Sequence, residues 1–155
     1  MTFKAIGLDP AQFASWSALN DAELAQRHAR RRVADAQPGF PCRVSLQDAE
    51  IGERLILLPY EHHAADSPYR AAGPIFVRER ATRWNEPVDV VPPALCTRLL
   101  SVRAYDAVGM LQQAEVLEGR ELESLISGFF AKPTIEYLHI HFARQGCYAC
   151  RIERA

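Results

Sequence analysis

Only one stretch of the chain shows apolar residues at helical spacing over several turns. Between Arg120 and Phe130 they recur every three or four residues and occupy one side of a helix: Leu122, Leu125, Ile126, Phe129 and Phe130. Pro133 cannot continue a helix and therefore bounds it. The pattern predicts a helix over 120–130 in which Ile126 and Phe129 are nearly fully buried.

Two shorter helices are predicted near the N-terminus. Asp9 followed by Pro10 is typical of a helix start, because Asp caps free N–H groups and proline fits the first helical position. A second helix is predicted over 20–31, where Glu23 completes a capping-box spacing with Asn20. Both helices precede the first long apolar run.

Apolar runs and alternating segments predict the strands. The run 54–60 is apolar on both faces and is typical of a buried strand, in which Leu57 is nearly fully buried. Four further strands are predicted over 3–8, 75–79, 99–105 and 110–117, the last two as an antiparallel pair. The proline-rich segments 37–43 and 80–93 are predicted to be loops.

The order of these elements is one strand, two helices, several strands, one helix and a final pair of strands. This order favours an α+β fold over a regularly alternating α/β fold. We predict a single pair of layers, a mostly antiparallel sheet packed by two to three helices, with a C-terminal β-hairpin. No repeat or linker divides the chain, so one domain over 1–155 is expected.

Composition is that of an ordinary globular protein, with 48% hydrophobic and 24% charged residues. No run approaches the roughly 20 apolar residues of a membrane-spanning helix, and the first residues lack the features of a secretion signal. A net charge of −1 argues against nucleic acid and anionic membranes as partners. We therefore expect a cytoplasmic protein whose four cysteines are thiols.

Candidate chemistry concentrates in the predicted C-terminal hairpin. Over 134–143 polar and apolar residues alternate, so that Tyr137, His139 and His141 share the face opposite the one that packs on the core. The two histidines are then about 7 Å apart along the strand. Two imidazoles at this spacing are able to bind one metal ion or to flank one substrate.

The turn of this hairpin sets the register of its second strand. A three-residue turn with Gly146 in the left-handed conformation predicts three pairs: Ala143 with Cys147, His141 with Ala149 and His139 with Arg151. The polar face then carries five side chains: Tyr137, His139, His141, Cys147 and Arg151. Cys150 turns inward, toward the core.

The hairpin also raises the possibility of a zinc site. An HxH motif followed by CxxC supplies four suitable ligands: His139, His141, Cys147 and Cys150. Within a strand, residues three apart point to opposite faces, so the two sulfurs converge only if the strand bulges at Tyr148. We therefore predict no cofactor, with a zinc site as the alternative.

Other candidate residues lie in the predicted loops. Cys42 is a candidate nucleophile if a histidine activates it, although a structural thiol is the simpler interpretation. Tyr69 and Arg70 lie in a loop that is either an anion-binding turn or an ordinary one. His62 and His63 follow a predicted strand, where either one faces a cleft or both lie in solvent.

Four stretches of the chain together resemble a known family. They are PGFPCRVSL at 38–46, SPYRAAGPIFVRE at 67–79, LLSVRAYD at 99–106 and LHIHFARQGCYACR at 138–151. They resemble a bacterial family known as domain of unknown function twelve-oh-three, over nearly the whole chain. Phe142 stands where we associate the family with Asn, so a polar contact near the histidines is absent here. The resemblance implies a cytoplasmic bacterial protein and implies no activity, cofactor or catalytic residue.

The sequence supports three hypotheses about function. The first is a site for a small anionic ligand on the His139/His141 face, where the histidines act as acid/base or orienting groups, with Cys42 as a candidate nucleophile. Its expected ligand-binding residues are Tyr69, Arg70, Tyr137 and Arg151. The others are a zinc-binding module and a structural or interaction protein without a catalytic site. The sequence decides neither whether the protein is an enzyme nor its oligomeric state.

Overall fold

Two antiparallel sheets form most of the regular secondary structure in the computed structural model, which describes all 155 residues. The eight strands are β1 (Phe3–Ile6), β2 (Arg30–Val33), β3 (Arg54–His63), β4 (Ala71–Arg78), β5 (Leu99–Tyr105), β6 (Leu111–Glu118), β7 (Tyr137–Phe142) and β8 (Tyr148–Arg154). The larger sheet has the order β1-β8-β7-β5-β6, and the smaller has the order β2-β3-β4. The sheet-rich α+β class and the C-terminal strand pair are as predicted.

Three α-helices and two short 3-10 turns complete the fold. The helices are α1 (Asp21–Gln26), α2 (Pro93–Cys96) and α3 (Leu122–Phe130), and the 3-10 turns are Pro10–Gln12 and Gly119–Glu121. Only α3 is longer than two turns. None of the helices is long and apolar enough to cross a membrane.

The main core lies between α3 and one face of the larger sheet. Ile126 and Phe129 of α3 are 1% and 8% exposed, and Ile140 of β7 is 0% exposed in the same cluster. The burial predicted for Ile126 and Phe129 is confirmed, and Ile140 lies on the face of its strand that was predicted to pack on the core. The prediction for Leu57 is wrong, because this residue of β3 is only half-buried and borders a surface groove that contains His28.

The smaller sheet forms a third layer, which corrects the predicted single pair of layers. It packs on a second apolar cluster with Val44 and Tyr148, and Tyr148 belongs to the larger sheet. The far end of β3 crosses the other face of the larger sheet, where the ring of His62 stacks on that of Tyr148 at 5.2 Å. Both faces of β7 are therefore covered.

Both predicted N-terminal helices are shorter than expected. The first is reduced to the 3-10 turn Pro10–Gln12, although Asp9 caps it as predicted. The second has the predicted capping box but ends at Gln26, and His28 takes the left-handed conformation with φ of 59°. Residues 30–33 then pair with β3 instead of continuing the helix. Pairing with a distant strand has overridden a local helix preference.

Candidate functional site

The C-terminal hairpin has the predicted register at one end and a different register at the other. His139 faces Arg151 as predicted, and Gly146 has the predicted positive φ, at 78°. Ile140 also faces Cys150, in keeping with the predicted register, but Tyr148 then faces His141, so Ala149 is an extra residue in β8. This bulge replaces the predicted His141–Ala149 pair and brings Tyr148 onto the histidine face.

A cluster of seven rings lies between the two sheets, and we call it the histidine cluster: His62, His63, Tyr105, Tyr137, His139, His141 and Tyr148. The ring centroids of His139 and His141 are 6.4 Å apart, and that of His62 is 5.1 Å from His141. His139 and His141 are 2% and 1% exposed. The His139/His141 face, on which the sequence predicted a ligand site, is covered by the end of β3.

Hydrogen bonds fix the tautomers of two of these histidines. The Nδ1 atom of His63 is 2.8 Å from the carbonyl oxygen of Tyr69, which only accepts, so Nδ1 is the donor. Its Nε2 atom then accepts from the hydroxyl of Tyr137 at 2.7 Å. By the same reasoning, Nδ1 of His141 donates to the carbonyl oxygen of Gly146 at 3.0 Å. The Nε2 atom of His141 is left with a free lone pair.

Three buried imidazole nitrogens have no hydrogen-bond partner: His62 Nδ1, His139 Nδ1 and His141 Nε2. Burial, together with smaller effects of nearby cationic groups, lowers the pKa of His139 to about 2 and that of His141 to about 4. Burial also lowers the pKa of His62. Because all three are neutral near pH 7, they offer proton acceptors in a nearly dry environment.

The predicted binding residues of this face lie at different distances from the cluster. Tyr137 is a member of it, and the guanidinium carbon of Arg151 lies 3.8 Å from the Tyr137 ring centroid. Tyr69 reaches the rim, with its ring 6.2 Å from that of Tyr105. Arg70 is held elsewhere, in an exposed ion pair with Glu61 at 2.9 Å.

The four predicted zinc ligands are not brought together. Cys150 lies in the main core cluster, as predicted, and the bulge turns Cys147 toward the same cluster, whereas His139 and His141 lie on the other face of the sheet. Cys147 is therefore absent from the predicted polar patch. No group of three or more His, Cys, Asp or Glu side chains is arranged to hold a metal ion.

Cys42 lies in the apolar cluster under the smaller sheet. It is 1% exposed, and its sulfur accepts a hydrogen bond from the backbone N–H of Arg78 at 3.3 Å. No histidine is hydrogen-bonded to it. The contacts are those of a structural thiol.

A cavity of about 330 Å³ opens beside the hairpin turn, and we call it the arginine cavity. Its polar lining comes from Arg43, Arg98, Gln145 and Cys147, and its apolar lining includes Pro41, Phe76 and Phe142. The guanidinium carbons of the two arginines lie 5.0 and 5.1 Å from the ring centroid of Phe142. Two cations and an aromatic ring therefore border one small space.

Arg43 is buried without an acidic partner. It is 2% exposed, and its guanidinium donates to the carbonyl of Tyr148 at 2.7 Å, to the carbonyl of Pro41 at 2.5 Å and to Sγ of Cys147 at 3.1 Å. None of the eight ion pairs of the protein includes Arg43. Burial lowers the pKa of Arg43, and Arg98 nearby adds to this effect.

Arg98 differs in having its charge balanced. Its fork donates to the carboxylate of Asp48 at 2.6 and 2.8 Å and to the carbonyl of Ala94. The positive charge that the cavity leaves uncompensated is therefore that of Arg43. An uncompensated buried charge costs several kcal/mol unless an anion approaches it.

Sequence reasoning missed two of the residues that matter here. Arg43 lies in a proline-rich segment that was predicted to be a loop, and an arginine in a loop is usually solvated. His62 was a candidate only for a cleft or for solvent. The sequence signal for Arg43 is its place in PGFPCRVSL, one of the four stretches that carry the resemblance.

Comparisons with known proteins find one family. A family model described as "Protein of unknown function (DUF1203)" matches residues 39–154 of the 155. No curated protein and no solved structure matches the chain. The matched range contains every residue of the histidine cluster and the four polar residues of the arginine cavity. It confirms the resemblance noted in the sequence.

Proposed function

The chain belongs to the DUF1203 family, whose function is unknown, and we propose that the protein binds a small anionic molecule in the arginine cavity. The observation that carries this proposal is the burial of Arg43 in the wall of a cavity without any carboxylate beside it. Guanidinium groups bind carboxylate and phosphate oxygens with two parallel hydrogen bonds. Arg43 has N–H groups left for such a bond, since three of its five are used.

The walls of the cavity restrict the ligand further. Phe142, Phe76 and Pro41 form apolar surface opposite the charged groups. A volume of about 330 Å³ is at the lower end of ligand pockets. The ligand that fits these walls is a small organic anion with a flat apolar part, such as an aromatic carboxylate, and benzoate is a suitable probe.

Binding of benzoate should raise the melting temperature. A ligand at about 100 times its Kd adds roughly 3 kcal/mol to the free energy of unfolding, which is about 5–10 °C for a chain of this size. We expect this rise with sodium benzoate relative to sodium chloride at equal ionic strength. If Arg43 only links Pro41 to Tyr148 and binds no anion, the melting temperature is the same in the two salts.

Variants locate the bound anion. Arg43→Met should abolish the benzoate effect, and Arg98→Gln combined with Asp48→Asn, which removes a whole ion pair, should weaken binding at least about tenfold. Arg83→Met is the matched control, because Arg83 pairs with Glu86 outside this cavity. If Arg43→Met, or the double variant where Arg43→Met does not fold, binds benzoate as the parent and the control do, the arginine cavity is not the site.

A second candidate is the site first expected from the sequence, on the histidine cluster. It is favoured by the three unpartnered imidazole nitrogens, since each one left unsatisfied costs about 1–3 kcal/mol. In this proposal His139 and His141 accept protons or orient a polar ligand, while Tyr137 and Arg151 border it. Tyr148 connects the two sites, because its ring lies in the cluster and its carbonyl accepts from Arg43.

The double replacement His139→Gln with His141→Gln separates the two candidates. Glutamine keeps the polarity, so we expect the free energy of unfolding at pH 7 to change by no more than about 1–2 kcal/mol. If the histidine cluster binds the anion, benzoate binding disappears in this variant and persists in the Arg98/Asp48 double variant. If the arginine cavity binds it, benzoate binding persists in the histidine variant and weakens at least about tenfold in the Arg98/Asp48 double variant.

The setting of this function is also a proposal. All four cysteines are free thiols, which suits a reducing compartment such as the bacterial cytoplasm. A small-molecule ligand, rather than nucleic acid or membrane, agrees with a net charge of −1. Neither candidate site requires zinc or another cofactor in this proposal.

A further inference from the structure

The four cysteines of the protein lie in different surroundings. Cys42 and Cys150 are 1% and 0% exposed, so reagents in solution do not reach them. Cys96 is exposed and near carbonyl oxygens only. Cys147 is half-buried and lines the arginine cavity. It alone combines access from a cavity with contact to a cation.

The sulfur of Cys147 lies in a positively charged environment. Nη2 of Arg43 is 3.1 Å from Sγ, and no carboxylate neutralises that guanidinium. A cysteine attacks as its thiolate, so the negative charge that the sulfur carries during attack is compensated by Arg43. Reactive cysteines typically occupy electropositive and partly exposed positions of this kind.

We propose that Cys147 is a nucleophile that reacts with small anionic electrophiles bound in the arginine cavity. The inference rests on the proposed function, because the same arginines that bind the anion place its electrophilic carbon near the sulfur. The thiol gives its proton to solvent, and the sulfur forms a bond to the carbon. The leaving group departs with the electron pair of the broken bond, as iodide does from iodoacetate.

The matching substrate class is a small carboxylate that bears an electrophilic carbon. Its carboxylate binds the guanidinium of Arg43, and its apolar part lies against Phe142. The ring centroid of Phe142 is about 5 Å from the guanidinium carbons of both Arg43 and Arg98. A neutral electrophile of the same size has no carboxylate to bind the arginine. The cavity should therefore favour the anionic reagent at this one sulfur.

Iodoacetate and iodoacetamide test this preference. Each reagent is added to the folded protein near pH 7, and the alkylation rates of Cys147 and Cys96 are read from their peptides by mass spectrometry. The ratio of the iodoacetate rate to the iodoacetamide rate cancels the reactivity of each sulfur itself. We expect this ratio to be at least about tenfold higher at Cys147 than at Cys96, an attraction of about 1.4 kcal/mol.

Variants and a competing anion complete the experiment. Arg43→Met, or the Arg98→Gln/Asp48→Asn double variant if the first does not fold, should lower the ratio at Cys147 toward that at Cys96. Arg83→Met should leave it unchanged, and Cys147→Ser should leave Cys96 as the only accessible site. Benzoate should protect Cys147 but not Cys96.

The outcomes separate this inference from the function on which it rests. Equal ratios at the two cysteines, or a Cys147 that reacts only after unfolding, overturn the inference. If calorimetry then still shows benzoate binding that depends on Arg43, the proposed function stands and Cys147 is only a hydrogen-bond acceptor. If benzoate neither binds nor protects, both proposals fail.

Discussion

Acidification from pH 6 to pH 4 is expected to reduce the free energy of unfolding by about 4–5 kcal/mol. The unfolded chain binds protons at these histidines near their ordinary pKa of 6.5, whereas the folded protein resists protonation until pH 4 at His141 and about 2 at His139. His139 and His141 together bind two protons only on unfolding, which corresponds to a slope of about 3 kcal/mol per pH unit. His62, whose pKa burial also lowers, adds to this loss. The stabilisation is complete above pH 6.5 and is lost as the pH falls.

Urea unfolding at several pH values measures this slope. The variant His141→Gln should remove about half of the loss between pH 6 and pH 4, and the double variant with His139→Gln should remove most of it. His28→Gln, at an exposed histidine, is the matched control. A parent protein whose stability is the same at pH 6 and pH 4 would show that these rings are not buried between the sheets.

Other groups add to acid unfolding but at lower pH. The ion pair with Arg78 lowers the pKa of Glu53 from its ordinary 4.5, so its contribution is lost only as the pH falls below that value. The range between pH 6 and pH 5 therefore reports mainly on the histidines. The loss of unfolding free energy between pH 6 and pH 5 therefore distinguishes a buried histidine cluster from a solvated one.

Replacement of Phe129 by alanine is expected to cost about 3–5 kcal/mol of unfolding free energy. Phe129 is 8% exposed and lies in the cluster that joins α3 to the larger sheet. Truncation removes a large apolar surface from the core and leaves a cavity there. Against a total of about 5–15 kcal/mol for a typical domain, this loss removes a large fraction of the free energy of unfolding.

Denaturant unfolding of Phe129→Ala gives the measurement, with Leu125→Ala as the control. Leu125 lies on the same helix but is only partly buried against the cluster, so its loss should be clearly smaller. A loss below about 1 kcal/mol for Phe129 would mean that α3 presents a different face to the sheet.

Local pattern predicted the elements whose side chains obey one simple period. The apolar stripe of α3 and the alternation in β7 determine which residues face the core, and both agree with the membership of the main core cluster. The register of the hairpin was right as far as Ile140 and Cys150, and it shifts between Ile140 and His141. Ala149 is accommodated as a bulge, and no turn or proline residue in CYAC indicates this.

The candidate site depends on contacts between distant parts of the chain. His62 and His63 meet β7 because β3 runs past a register shift after Tyr60, which an apolar run ending at residue 60 does not indicate. Arg43 reaches Tyr148, far away in the sequence, through a buried loop. The sequence therefore predicted the polar face of β7 correctly, but it predicted neither the covering of that face by the end of β3 nor the arginine cavity.

The most direct test of anion binding is a crystal structure of the protein with para-bromobenzoate. Anomalous scattering from bromine locates the ligand independently of the protein atoms. We expect the carboxylate to lie within hydrogen-bond distance of Arg43, with the ring against Phe142. Bromine found only outside the arginine cavity, or nowhere at a saturating concentration, would contradict the proposed function.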